Sequence, residues 1–566
     1  MIKISRDWCK EHSLILTFAI QLLLMAFFVL SFSCEFITND DYYIRMIASG
    51  VFGKPDFHLV YINAVLGHVM AFLYTIFPNM CWYETIQYVC IFLSLTVISY
   101  VFVKRLQENL IVRYAGFIAL IVSAYTLYVD LQYTKTAFIL TVSGYILIAY
   151  LIDSDAKRPY YAMGIFLLLM GFLMRSQQFF VSSFISISLY IPYFLDLFRS
   201  TGRMDALKRI KKLILVGMIS GFLVLISMVY DNRVYSGGWG FYKEYNIART
   251  DLLDGGMPIF DQNRELYDEL NLDQKDYRLF LDWDIDDDTV FNLDVMKTII
   301  SSKVKDRINL GYILYFISYC VSYFFTKSKI IVFTAVLCLA ILLNLGSRFD
   351  SKRFIAFLFS ILSLGTSVLY CFYIRENNHL VTHVQISLLL TTTFALLYRI
   401  GSKDERKINR KAGLAILIVP FVALCILNED RLRIRYDSEN IAHKKEVLSN
   451  ILTDEQHLYY RRELNYMFFI EKPFDNTLTP NGQNLISFGG WLTNYPLVLD
   501  QKDRFGVKNP YKDIINNEKV YIIVENSSSD IEIIMDHIKN HFDESVKAEK
   551  VKVIEEYDVY KLVSSK

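Results

Sequence analysis

The stretch LILTFAIQLLLMAFFVLSFSCEFITNDDYY, Leu14 to Tyr43, decides the fold class. Its first 20 residues, Leu14–Ser33, carry Gln21 as their one strongly polar side chain. At about 1.5 Å per residue they are long enough to cross a hydrocarbon core of about 30 Å. Lys3, Arg6 and Lys10 precede the run, and no basic residue follows until Arg45. Lys and Arg gather on the cytoplasmic side of membrane helices, so this bias keeps the N-terminus inside and puts Asp40 and Asp41 outside. The run is too long for a signal peptide and lacks a small-residue cleavage site after it.

The composition agrees. Hydrophobic residues make up 54 % of the 566, and Phe and Tyr are abundant at 42 and 39, as in chains with many interfacial ring anchors. A net charge of +1 gives no excess that would argue for nucleic acid. The eight cysteines (Cys9, Cys34, Cys81, Cys90, Cys320, Cys338, Cys371, Cys425) form no CxxC pair and read as small core hydrophobes rather than a disulfide or zinc framework.

Asn39 to Ser49 reads as a short helix capped by Asn39 or Asp40 and ended at Gly50. His58 to Phe77 is apolar and is taken as a helix lying on the outer surface, which leaves Lys104, Arg105 and Arg113 inside after a span at 83–103. Spans follow at 113–129, 137–152, 160–174, 178–197 and 212–230, then at 308–325, 329–346, 354–374, 380–399 and 412–428. The expected fold is an α-helical polytopic membrane protein of about 11–13 transmembrane helices with a small C-terminal soluble α/β domain. Residues 1–428 form the membrane domain, with external segments 34–82 and 231–307, and residues 429–566 the soluble domain. In the latter, Val520–Val524 and Val559–Val563 read as strands and Asp530–Phe542 as an amphipathic helix. Twelve spans would leave the basic loop Lys403, Arg406, Lys407, Arg410 and Lys411 outside, against the positive-inside rule. Giving that loop precedence puts the tail outside and implies that one segment after residue 230 is miscounted.

The order Asn39-Asp40-Asp41-Tyr42-Tyr43, then Gly50, then His58-Leu59-Val60-Tyr61, then an inward span ending at Lys104-Arg105 resembles the first external loop of the GT-C superfamily of integral-membrane glycosyltransferases. The match covers roughly the first 105 residues. The His-Pro-Pro of many members is absent, since Leu follows His58, so no subfamily is named. The resemblance implies transfer of a sugar from a polyprenyl-phosphate carrier to an acceptor on the outer face, with the active site on the extracytoplasmic side of a multi-pass cell-membrane protein.

Independently of it, a hydroxyl attacking an anomeric carbon must lose a proton, and an interfacial carboxylate can take it. Asp40 and Asp41 are the catalytic candidates, the competing reading being a helix cap. The departing phosphate needs cations, and a planar guanidinium binds two of its oxygens at once. Arg175, followed by Ser176-Gln177-Gln178, and Arg353 with Lys352 and Arg348 are candidates for substrate binding, as is His58; each can equally be an interfacial anchor. The acidic run Asp282, Asp284, Asp286, Asp287, Asp288 offers oxygen ligands for a divalent cation, but it lacks an EF-hand's Gly and terminal Glu and reads better as a solvated turn. No metal ligand set and no obligate cofactor is assigned.

P-loop, GxSxG and HExxH motifs are absent, which suits a lipid-linked donor and argues against an ATP-driven pump. The expected partners are a polyprenyl-phosphate-linked sugar, a surface glycan, lipid or protein acceptor, and membrane lipid, with no nucleic acid. The alternatives are a polysaccharide polymerase and a lipid-linked oligosaccharide transporter or flippase. Carboxylates placed in an external loop rather than in mid-span favour the enzyme.

Overall fold

The computed structural model describes residues 6–105, 110–154, 158–191, 203–253, 256–302, 313–318, 380–397, 451–462, 472–475, 484–526 and 528–565, with isolated positions at 194, 311, 358, 362, 365, 422, 443, 445–447 and 449. The spans expected at 308–325, 329–346, 354–374 and 412–428 and the basic loop from Lys403 to Lys411 lie wholly or mostly outside the described residues.

The chain opens with α1 (Arg6–Glu11) and α2 (Ser13–Ser31), then β1 (Glu35–Phe36), α3 (Asn39–Ser49), α4 (Ala64–Ile76), α5 (Trp82–Lys104) and α6 (Leu110–Tyr128). After β2 (Asp130–Leu131) come α7 (Tyr133–Ile152), α8 (Arg158–Met174), α9 (Ser176–Ile187) and α10 (Arg203–Val234). Among the described residues, four helices, α2, α5, α7 and Met204–Val234 of α10, are long and apolar enough to cross a membrane. Burial sorts them: 89 % of the α7 window is enclosed, against 22 % of α2 and 17 % of α10, so α7 is the central helix and the other two turn bare apolar faces outward. Apolar faces exposed on that scale are what lipid would cover.

Helix α7 packs against α5, α8 and α9. Its approach to α8 depends on small residues. A Cβ at Gly144 would meet Leu168 at 2.9 Å, and one at Gly171 would overlap Thr141 Oγ1. Lipid tails are as apolar as leucine, so such close van der Waals contact, with polar pairs, is what holds membrane helices together. Such pairs include Gln21 Nε2 to Ser99 Oγ at 2.8 Å between α2 and α5, and Thr136 Oγ1 to Gln87 Oε1 at 2.8 Å between α7 and α5.

The bundle has two chemically distinct ends. At one, Lys104 Nζ donates to Lys10 O at 2.7 Å, while Arg105 and Arg209 both reach Asp153, at 3.7 and 3.2 Å. At the other, the short parallel pair β1–β2 ties the start of α3 to the start of α7.

Residues 238–302 carry α11 (Gly238–Leu253), α12 (Gln274–Leu281) and α13 (Leu293–Ser302) around a separate apolar core that includes Tyr245, Leu252, Phe280, Phe291 and Met296. After α14 (Leu380–Leu397), the tail forms β3 (Leu458–Arg461), β4 (Leu485–Ser487), α15 (Pro496–Arg504), β5 (Val520–Glu525), α16 (Asp530–His541), β6 (Lys547–Ile554) and β7 (Tyr557–Val563). The strands make one sheet in the order β4-β3-β5-β7-β6, parallel through β4, β3 and β5 and antiparallel beyond. The strands expected at 520–524 and 559–563 and the helix at 530–542 are present. β6, with three lysines, is a charged edge strand of the kind that discourages further pairing, and its apolar signal is correspondingly weak.

The acidic run is not a solvated turn. Asp284 is 1 % exposed and Asp287 fully enclosed, because the run faces cations of the tail. Arg462 Nε meets Asp284 at 2.6 Å, its Nη2 meets Asp282 at 2.8 Å and its Nη1 meets Asp530 at 2.8 Å, while Lys502 Nζ meets Asp286 at 2.8 Å. Between these pairs the backbones bond directly, Asp286 N to Phe488 O at 2.8 Å and Gly490 N to Trp283 O at 2.7 Å.

Replacing Gly171 by leucine should force α7 and α8 apart and cost about 1–3 kcal/mol, the usual penalty of overpacking. Gly217→Leu on α10, where nothing lies within 4 Å, is the control. Thermal melts in detergent check this, and equal midpoints for the two variants would remove the packing argument.

Candidate functional site

The site lies where α3, α7, α9 and the tail meet. α3 begins as expected at Asn39 and ends on Gly50 in the left-handed conformation. Its cap differs from the expectation: Thr38 is the N-cap residue and no side chain caps the helix, so neither Asn39 nor Asp40 plays that part. Thr38 Oγ1 instead donates to Asp41 Oδ2 at 3.0 Å.

The two carboxylates have different surroundings. Asp41 is fully buried. Its Oδ1 accepts from Tyr83 OH at 2.7 Å, Tyr133 N at 2.9 Å and Gln87 Nε2 at 3.5 Å. Burial pushes the Asp41 carboxyl up to about 7, against the pull of the bonds from Tyr83, Tyr133 and Thr38, and the neighbouring Asp40 adds to the rise. Asp40 is only half-buried. Its Oδ1 accepts from Trp491 Nε1 at 2.9 Å and its Oδ2 from Tyr133 OH at 3.2 Å. An ionised carboxylate has about four lone-pair sites, so Asp40 keeps acceptor capacity.

Arg175 joins the same group. It is the N-cap residue of α9, in extended conformation, with a buried side chain. Its Nη1 donates to Tyr133 OH and its Nη2 to Gln177 Oε1 at 3.4 Å, and the guanidinium lies 4.9 Å from the ring centres of both Tyr61 and Tyr133. A continuous donor line therefore runs from Arg175 through the Tyr133 hydroxyl to Asp40. Aromatic rings close around it. Trp491 stacks on Tyr43 at 5.8 Å, and Tyr61 meets Trp491 edge-on at 5.4 Å. Tyr61 is aimed there by Val60, a β-branched residue at φ 60° whose N–H bonds Tyr235 OH at 2.9 Å. Such a conformation costs on the order of 1–3 kcal/mol and persists only where the surroundings enforce it.

The structure thus brings together Asp40, Asp41, Arg175 and Gln177. His58 is held elsewhere: its Nδ1 lies 2.9 Å from Asp56 Oδ1, and its ring stacks on Trp239 at 3.8 Å. Arg348, Lys352 and Arg353 lie outside the described residues. Tyr133, Tyr61 and Trp491 were not singled out in the sequence. Tyr133 is hidden at the head of an apolar helix, and the only local sign of Trp491 is the Gly489-Gly490 pair before it, where a Cβ at Gly489 would overlap Trp283 O. A buried pair also escaped notice, Arg45 Nη1 with Glu84 Oε1 at 3.0 Å, whose guanidinium donates to Asp475 O at 2.8 Å.

No protein-family model and no curated protein sequence matches the chain. Solved structures that align with it include ArnT from Cupriavidus metallidurans in the apo state, at 11 % identity over 96 % of this chain and 97 % of that one, with a TM-score of 0.36. The same protein bound to undecaprenyl phosphate aligns at 12 % identity over 96 % and 97 %, with a TM-score of 0.34. Scores of this size establish no common fold, and the reading of the site rests on its residues.

The Asp41 environment has a pH signature. Unfolded, the carboxyl releases its proton near about 3.9; folded, near about 7. The folded state holds the extra proton between these values, so this group's contribution to stability is full below about pH 4 and is lost as pH rises toward about 7. Asp41→Asn cannot ionise, and its melting temperature should fall less than wild type over that window. Parallel curves would show that Asp41 is ionised throughout. Asp41→Ala, which orphans four donors, should cost about 1–3 kcal/mol or more at any pH.

Proposed function

We propose that the chain is a multi-pass membrane glycosyltransferase of GT-C type that moves a sugar from a polyprenyl-phosphate carrier to a surface glycan, lipid or protein hydroxyl. The carrying observation is the line from Arg175 through Tyr133 to Asp40, which sets a guanidinium and a half-buried carboxylate on one hydroxyl at one end of an apolar bundle. In this reading the acceptor oxygen bonds to the anomeric carbon as that carbon's bond to the phosphate oxygen breaks. The acceptor proton passes to Asp40, and the polyprenyl phosphate leaves with its charge against Arg175. Tyr133 orients both groups, Gln177 steadies the guanidinium and Asp41 serves the scaffold. The rings of Tyr61, Tyr43 and Trp491 pack around these groups and hold them in place. A polymerase using a lipid-linked oligosaccharide would draw on the same chemistry.

The end bearing Lys104, Arg105 and Arg209 is assigned to the cytoplasm by the positive-inside bias. The carboxylates and the soluble unit from about 429 onward then lie outside, with 1–428 as the membrane unit.

Asp40→Asn should lower transfer from a polyprenyl-phosphate sugar, read as polyprenyl phosphate released, on the order of 100- to 10,000-fold. Asp41→Asn should stay far closer to wild type. Arg175→Lys keeps the charge but loses the fork and should weaken donor use, whereas Arg158→Lys at the opposite end of α8 should not. Wild-type turnover in Asp40→Asn would end the base assignment. Sidedness is checked separately: a cysteine at Glu518, whose side chain is 87 % exposed, should react with an impermeant thiol reagent in intact cells beyond the background of the parent chain. Labelling only after permeabilisation would put the tail inside.

A further inference from the structure

Three groups outside the proposed catalytic site converge where α12 meets α16. His537 and His541 are four positions apart on α16, so both imidazoles leave the same helix face. His537 Nδ1 lies 3.2 Å and His541 Nε2 2.8 Å from one oxygen, Oδ1 of Asp276, and the three ligand atoms fall within 4.8 Å of one another. Asp276 and His537 are each 1 % exposed, while the His541 side chain keeps 20 % exposure and leaves a way in.

We infer that Asp276, His537 and His541 form a binding site for a divalent transition-metal ion, zinc being the best fit. The outer contacts are those of a metal-bound imidazole. His537 Nε2 faces Asp287 Oδ2 at 2.8 Å, and a ligating histidine characteristically donates its other N–H to a carboxylate, which fixes the tautomer. Asp287 is itself oriented, its Oδ1 accepting from Thr289 N at 3.0 Å, Thr289 Oγ1 at 2.6 Å and Asn509 Nδ2 at 2.7 Å. The second oxygen of Asp276 accepts from Asp273 N at 3.1 Å in the capping box of α12, which aims Oδ1 at the histidines. Asn540 Nδ2 also lies 3.3 Å from His541 Nε2 and can turn to its other contact, Asp273 Oδ2 at 3.1 Å.

With an ion bound, His537 Nδ1 and His541 Nε2 would each give a lone pair to the metal, and His537 Nε2 would keep the N–H aimed at Asp287. Zinc bonds of about 2.0–2.2 Å in a tetrahedron place ligand atoms about 3.3–3.5 Å apart, so the two spacings from Asp276 Oδ1 to the imidazoles, 3.2 and 2.8 Å, need to open by only a few tenths of an ångström. Two imidazoles and one carboxylate suit zinc better than magnesium or calcium, which prefer all-oxygen shells, and the fourth position is left to water. The ion would clip α12 of the 238–302 segment to α16 of the tail, next to the Arg462 and Lys502 contacts. This inference stands apart from the transferase reading, because it concerns binding and docking only.

The full chain in detergent, stripped with chelator and dialysed against zinc chloride, should retain about one zinc per chain by elemental analysis and melt at a higher temperature than the stripped form. His541→Ala, a partly exposed position that leaves the buried contacts in place, should lose both the retained zinc and the zinc-dependent rise. Asp276→Asn should lose the zinc as well. Wild type retaining no zinc, or His541→Ala retaining as much as wild type, overturns the site; the second result assigns the ion to cysteines or other groups.

Discussion

The buried carboxylate of Asp41 is the point through which α3, α5 and α7 are fixed to one another. Its two oxygens receive Tyr83 and Gln87 from α5, the first backbone N–H of α7 and the hydroxyl of Thr38 at the start of α3. An unpaired buried carboxylate would be strongly disfavoured; with four donors it becomes an oriented hub, and removing it would orphan groups on three elements. Asp40 follows from this arrangement. As the preceding residue on α3 it turns toward the adjoining space, where the ring of Tyr133, whose own N–H is pinned to Asp41, can reach it.

The second constraint is electrostatic and joins the tail to the segment between α10 and α14. Arg462 meets three carboxylates and Lys502 a fourth; Asp284 and Asp286 are withdrawn from water and Asp530 partly so, while Asp282 stays exposed. Burying such ions costs several kcal/mol each, and their mutual attraction offsets this only when geometry and additional hydrogen bonds are good, so the pairs specify docking more than they add stability. The backbone bonds between 283–286 and 488–490 lie inside this patch and lead straight into Trp491. One wall of the proposed site is therefore contributed by a part of the chain about 450 positions from Asp40, delivered by ion pairs made elsewhere.

Within the apolar bundle the forces are different. Nothing apolar is gained by moving a leucine from lipid to a neighbouring helix, so α7 is centred by small residues that admit α8 and by the Thr136–Gln87 bond to α5, while the Gln21–Ser99 bond ties α2 to α5. Gly171 lies one turn before Arg175, so the close approach that it permits also sets where the guanidinium emerges at the end of α8.

What the sequence determined by itself is the part governed by local pattern. Apolar runs of membrane length, the break at Gly50, the short helix from Asn39 and the strands at 520 and 559 are all set by residue type and spacing over a dozen positions. The placement of Arg175 at a helix junction could be read the same way. Tertiary structure decided which of two adjacent aspartates is enclosed and which stays half-buried, since that depends on Tyr83, Tyr133 and Trp491 arriving from distant segments. It also turned the acidic run from a solvated turn into a docking strip, because Arg462, Lys502 and His537 carry no local mark of their partners. A carboxylate's neighbours in space set its hydration and charge, and a helix or strand pattern in the chain encodes only its neighbours in sequence.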